Sequence, residues 1–200
     1  MAQMTKLKKG IKKKFFDVEC PLVSTKVQLY GGELEEFQGR VIKLDLSRAL
    51  RGKNSELKLR VKVEGTKLVS EPVEFELLGA YTRKIIARGT NYVEDSFKTN
   101  SRDARVLVKT FLMTRLKVSR AVRNALRQQT RALINSHFNI RTSAELFNEI
   151  LAYKFQKMLS QKLRTVYPLS VCEIKAFKVV GKRDESAKVV PQEVVEKKDN

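Results

Sequence analysis

Leu57, Leu59, Val61 and Val63 alternate with Lys58, Arg60, Lys62 and Glu64 through the segment ELKLRVKVEG. A period of two sends the apolar side chains to one face and the charged ones to the other, which predicts a strand with one buried and one wet face. A turn near Gly65 then returns the chain into a second strand, PVEFELLGAY, over residues 72–81. Shorter runs predict strands at FFDVEC (15–20), KVQLY (26–30), GRVIKLDL (39–46), KIIARG (84–89), YVEDSFKT (92–99) and ARVLVKTFLM (104–113), with Asn100, Ser101 and Asp103 marking the turn before the last. So many short strands with no helical pattern between them predict a mainly antiparallel sheet, curled into a barrel to remove its edges.

After Leu116 the period changes to that of a helix. In KVSRAVRNALRQQTRAL (117–133), Arg120, Arg123, Arg127 and Arg131 fall within roughly 80° of one another around a helical wheel. Ala121, Val122, Ala125, Leu126, Ala132 and Leu133 fill the far side and are expected to face the core, and Ser119 is a candidate N-cap. A second helix opens at TSAE, where Thr142 and Glu145 have capping-box spacing. Its stripe of Phe147, Leu151, Phe155 and Met158 is core-like, and the helix should stop near Tyr167 because Pro168 lies beyond it. VCEIKAFKVV (171–180) predicts a closing strand with Cys172, Ile174 and Ala176 on one side. The expected fold is therefore α+β, a mainly antiparallel β-barrel with two flanking helices in the C-terminal half and a closing strand. Residues 15–181 form one domain in this reading, between a flexible basic leader (1–14) and a disordered mixed-charge tail (182–200).

Charge is what turns this fold towards a function. Lys and Arg number 41 against 22 Asp and Glu, a net +19, so a polyanion is the default partner. Residues 102–131 alone hold nine basic residues and one acid, Asp103. Arginines four apart on one helix repel weakly, and an ordinary solvated face would intersperse Glu. The guanidinium fork grips phosphate oxygens bidentately, whereas lysine is a mobile point charge. Lysine dominates the leader (Lys8, Lys9, Lys12, Lys13 and Lys14 among them) and arginine the helix, which suits a docked nucleic acid with a flexible arm along it. The helix lacks helix-turn-helix spacing, and no strand carries the aromatic motif of a single-stranded RNA reader, so structured RNA is the favoured class.

Catalysis finds no support. Glu94 with Asp95 and Glu74 with Glu76 lack the further carboxylates that two-metal hydrolysis needs and read as ordinary exposed positions. His137, the one histidine, stands in no nucleophile motif and reads as a capping or surface residue; Gly31 and Gly32 lack the Lys and Ser/Thr of a phosphate loop. Cys20 and Cys172 are too far apart in sequence for a CxxC site, so no metal and no cofactor is expected, and both read as buried thiols of a reducing compartment. No apolar run approaches the roughly 18 residues of a membrane span, which leads to the expectation of a cytosolic protein without a membrane partner.

Five blocks in order then resemble one family. KKKFFDVECP is similar to the Lys-Lys-aromatic-aromatic opening of the small-subunit ribosomal proteins of the S-three-a-e type, shared by archaea and eukaryotes. GRVIKLDLSRAL with LKLRVKV, GAYTRKIIARGTNYVED, VLVKTFLMTRLKVSRAVRNALRQQTRAL and YPLSVCEIKAFKVV resemble its successive strands, basic helix and closing strand, over roughly residues 12–180. The chain departs from the pattern at Ala80 and Tyr81, at Lys84 in place of an acid, and at the turn TNSRDA. The resemblance implies a non-catalytic constituent of the small subunit in the cytoplasm. It would be seated on the platform near the messenger exit, against the 3′ region of the small-subunit rRNA, neighbouring ribosomal proteins and messenger RNA near the exit channel. It also implies that Arg115, Lys117, Arg120, Arg123, Arg127 and Arg131 face rRNA phosphates. The competing reading is a free RNA-binding regulator of translation.

Overall fold

The alternating segment forms the strand it predicts. In the computed structural model, which describes residues 13–23, 27–50 and 52–182, β4 (Ser55–Glu64) buries Leu57, Leu59 and Val61 and turns at Gly65, φ 61°, into β5 (Lys67–Leu77). β5 begins five residues before the expected Pro72. The proline is accommodated because the register slips there: Lys58 pairs with Glu74 but Leu59 with Pro72, a bulge that spares the missing N–H a place in the ladder. β1 (Lys14–Glu19), β2 (Val27–Gly31), β3 (Val41–Asp45), β6 (Tyr92–Asn100), β7 (Ala104–Thr114) and β8 (Leu169–Lys182) follow the expected segments closely. Strand structure thus begins at Lys14 and runs to Lys182, one residue beyond each expected domain boundary.

The eight strands of the described residues make one mixed sheet. Its order is β2-β1-β5-β8-β7-β6, with β4 also on β5 and β3 on β4. All pairings are antiparallel except β1 with β5, joined through Val18–Leu68 and Glu19–Val69. Among the described residues the sheet is not closed into the barrel expected from the sequence: the pairing path ends at β2, β3 and β6 without returning on itself. The edge problem is met differently at β6, which a helix covers instead of a further strand.

Four helices are present among the described residues rather than two. KIIARG, expected as a strand, supplies the end of α1 (Gly79–Ile85) and the turn after it, because Leu78 breaks from the sheet and Thr82 Oγ1 donates back to the Gly79 carbonyl. α2 (Arg120–Phe138) is the arginine helix, capped by Ser119, whose hydroxyl accepts from Val122 N. The second expected helix is two: α3 (Ser143–Leu151), opened by the Thr142–Glu145 capping box, and α4 (Lys154–Leu163). Tyr153 between them sits in the left-handed region, φ 61°. The break re-phases the stripe, so that Phe155, Gln156, Leu159 and Leu163 are buried in α4 while Leu151 and Met158 are only half-buried.

The main core fills the space between the sheet and α2, α3 and α4. Phe138, Phe147 and Phe177 interlock edge to face within it, with ring centroids 4.7 and 5.7 Å apart. A second, smaller cluster gathers Val18, Phe37, Val61 and Leu68 under a 3₁₀ turn at Leu34–Phe37. Gly31 is required there, since a Cβ would lie 2.4 Å from the Phe37 ring.

Candidate nucleic-acid interface

The approach to α2 is a pinned turn. Asn91, just before β6, accepts from Val118 N through its side chain (2.9 Å) and from Thr114 Oγ1 through its carbonyl (2.9 Å), while Thr114 Oγ1 also accepts from Asn91 N. These bonds fix residues 115–118 against the end of the β6–β7 hairpin. Arg115 and Lys117 stand exposed on that turn and Arg120 on the first turn of α2. Arg88, exposed in the turn before Asn91, joins the same end of the sheet, beside Tyr92 (51% exposed) and Leu116 (68%). The first turn of α2 holds no acid, so its uncapped N–H groups add to the positive potential.

The arginine edge itself does not stand opposite the core. Full burial in α2 falls on Leu126, Thr130, Ile134 and Phe138, a row that overlaps the arginine sector. Ala121 and Ala132, expected to face inward, are exposed, and Val122, Ala125 and Leu133 are half-buried. Arg123 and Arg127 are half-buried along the flank, Arg123 with its Nε buried and unpartnered and Arg127 donating to Asn124 Oδ1 at 3.3 Å. Arg131 clamps Asp95 of β6 with two hydrogen bonds, at 2.5 and 2.6 Å, and lies 5.7 Å over the Phe97 ring. Asp95 is therefore not an ordinary exposed acid: its side chain is 8% exposed, and the Arg131 hydrogen bonds hold its carboxyl below the usual range. Glu94 and Glu74 are also engaged, by Lys175 and by Lys58 and Lys178.

Of the expected lysine arm, Lys8, Lys9 and Lys12 lie outside the described residues. Lys13 places its ammonium 5.8 Å over the Tyr30 ring, and Lys14 opens β1 opposite Gly31. Sequence reasoning missed Arg88, Asn91 and Tyr92. The signal was present, because Asn91 is the polar residue between a turn and a strand, but its partner Val118 is 27 residues away and only the hairpin brings them together.

No group of three or more potential metal ligands occurs among the described residues. No described helix is long and apolar enough to cross a membrane. His137 is neither a cap nor a surface residue. It is half-buried between α2 and α4, its ring tilted against Phe155 with centroids 4.9 Å apart and Nε2 3.5 Å from Glu149; burial, helped by Arg141 and Lys162, lowers its pKa to about 4. An imidazole so held stays neutral at physiological pH.

Comparison with known proteins adds a direct line. The model of the Ribosomal S3Ae family matches residues 3–183. The chain is similar to the small ribosomal subunit protein eS1 of Desulfurococcus amylolyticus, with 25% identity over 121 residues, 60% of this chain and 57% of that protein. It is also similar to the small ribosomal subunit protein eS1 of Haloquadratum walsbyi, with 23% identity over 163 residues, 79% of this chain and 77% of that protein. The first match thus spans little more than half of its relative, the second about three quarters.

Proposed function

Because the chain belongs to the Ribosomal S3Ae family, we propose that it is a structural constituent of the small ribosomal subunit, bound to small-subunit rRNA and to neighbouring ribosomal proteins and acting without catalysis or cofactor. The observation that carries the reading beyond family membership is the end of the sheet where Arg88, Arg115, Lys117 and Arg120 stand exposed around a pinned turn, with no ion pair among the described residues. Fixed cations on a rigid turn hold phosphates at low entropic cost, and the adjoining α2 N-terminus points the same way. Arg127 extends the surface along α2. Arg123 and Arg131 contribute through the helix's seating on β6, with the outer part of Arg131 still open to a phosphate. Lys8, Lys9, Lys12, Lys13 and Lys14 would follow the backbone as a separate arm.

The finer placement rests on the family resemblance: the subunit platform near the messenger exit, against the 3′ region of the rRNA, within reach of messenger RNA. Cytoplasmic ribosomes are the corresponding location. Sedimentation of a lysate through a density gradient at moderate and then high salt, with this chain followed by mass spectrometry, tests the reading. Comigration with the small subunit at near-unit stoichiometry is expected. A chain that stays at the top of the gradient, or leaves it at the first rise in salt, would instead be a free RNA-binding regulator.

A further inference from the structure

Behind the break between α3 and α4 the fold leaves a cavity of about 460 Å³, none of whose lining residues belongs to the pinned turn. Ala49 and Leu50 form one wall and Ile150, Leu151 and Ala152 the other, while Lys53, Glu173, Tyr153 and Gln156 bring polar groups to it. A cavity with apolar walls and a few convergent polar groups is the usual form of a small-ligand site.

Three features are not explained by packing. Glu173, 4% exposed, accepts from Lys53 Nζ at 2.6 Å; an apolar pair of similar volume would stabilise the fold as well or better. Tyr153 is the one non-glycine residue with positive φ among those described, and its ring lies under the Lys53 ammonium, 3.6 Å from the centroid. Gln156, 3% exposed, donates through Nε2 to the Ile150 carbonyl at 3.0 Å, but its Oε1 is buried without a partner, an acceptor left unmade in the cavity wall. Burial also raises the Glu173 pKa despite the lysine, as expected of a carboxylate closed off from water.

Lys53 is held by Glu173 and by the Tyr153 ring, and Glu173 also meets the Tyr153 hydroxyl; of three ammonium donors and four carboxylate lone-pair positions, these contacts leave a donor and an acceptor side by side at the cavity. An adjacent donor and acceptor match the edge of a nucleobase, where an N–H stands next to a carbonyl or ring nitrogen. The apolar walls suit its faces. Arg48, Lys154 and Lys157 are exposed on the elements that frame the opening, Arg48 within the field of Asp45 and the two lysines with no ion pair among the described residues, and can meet the phosphates on either side of one nucleotide. We propose that this cavity receives a single unstacked nucleobase of the bound RNA, its edge read by Lys53 and Glu173. The proposal rests on the RNA-binding reading above.

The test uses the full chain, isotope-labelled, titrated to millimolar concentration with AMP, GMP, CMP and UMP, and with ribose 5-phosphate as the base-less control. The Gln156 side-chain amide and the Tyr153 signals report occupancy, and an RNA hairpin measured in parallel reports general RNA binding. Saturable shifts with at least one nucleotide and none with ribose 5-phosphate are expected. A plug on either wall, Ala49→Phe or Ala152→Phe, should weaken that binding by roughly tenfold or more and leave hairpin binding intact. Both alanines are exposed, so each variant should fold, and circular dichroism checks it. Hairpin binding with no nucleotide shift overturns the cavity proposal and leaves the RNA reading standing. Equal shifts from ribose 5-phosphate would mark a phosphate site on the rim and overturn it too. Failure of both hairpin and nucleotides removes the RNA reading and the cavity proposal with it.

Discussion

Arg131 on α2 and Asp95 on β6 meet fork to fork, Nε to Oδ2 at 2.5 Å and Nη2 to Oδ1 at 2.6 Å. Along β6, Val93, Asp95 and Phe97 share the face that α2 covers, so Asp95 occupies a position the strand period assigns to an apolar residue, and the arginine is what makes that acceptable. The pair therefore fixes where α2 crosses the edge strand.

A double-mutant cycle between Asp95→Asn and Arg131→Gln should give a coupling on the order of 1 kcal/mol in denaturant unfolding, near the top of the range for solvent-screened pairs because the geometry is bidentate. The Asp95 pKa is depressed in the folded state, so this contribution is complete above its unfolded value and fades as pH falls through the folded one. A coupling that persists unchanged at strongly acidic pH would contradict the assignment.

RNA binding should separate the two groups of cations. Replacing Arg115, Lys117 and Arg120 with Gln should leave unfolding midpoints nearly unchanged and lower the slope of log K against log salt by roughly 0.7 to 0.9 per lost phosphate contact. Arg131→Gln should do the reverse, with more effect on stability than on slope. Filter binding across a salt series reads both. If Arg131→Gln changed the slope as much as an exposed arginine does, its commitment to Asp95 would be only apparent.

His137 makes stability depend on pH in mildly acidic solution. Its folded pKa of about 4 lies below the ordinary 6.5, so its contribution is fully present above 6.5 and is lost as pH falls towards 4. For a half-buried ring the whole effect should amount to at most about 3 kcal/mol. Proton NMR of the single imidazole should titrate near 4, and His137→Phe should flatten the wild-type decline in stability between 6.5 and 4. A midpoint near 6.5 would refute it.

Tyr153 tests the helix break. A left-handed non-glycine residue costs about 1–3 kcal/mol, while the side chain returns its hydroxyl to the Cys172 carbonyl at 3.4 Å and its ring to Lys53. Tyr153→Ala loses those contacts and keeps the strain, whereas Tyr153→Gly loses the contacts and relieves it. The glycine variant should be the more stable of the two by about 1 kcal/mol in thermal or urea unfolding. An alanine variant as stable as the glycine one would contradict a strain cost at this position.

Periodicity alone located nearly every strand, the caps at Ser119 and Thr142, and the arginine helix, because a pattern of two or of 3.6 is a local property that the neighbouring residues enforce. Charge pointed to a polyanion for the same reason: net charge and its clustering need no coordinates. What the sequence left open were relations between distant segments. KIIARG has strand-like residues, yet the chain turns out of the sheet at Leu78, and only the departure from β5 makes it helix. The stripe from Phe147 to Met158 is continuous on paper, but Tyr153 leaves helical geometry, its ring against Lys53 from a distant part of the chain. The wheel placed the arginines opposite an alanine-rich face. The sheet instead presents Asp95 to Arg131, and α2 settles with its Leu126–Phe138 row inward. Alanine gains little from burial, so a face of alanines cannot outbid Leu, Ile and Phe supported by a bidentate ion pair. Local pattern thus determined which elements form and what charge they carry. Tertiary packing decided which face each turns inward, which arginines remain exposed, and that a cavity opens behind the broken helix.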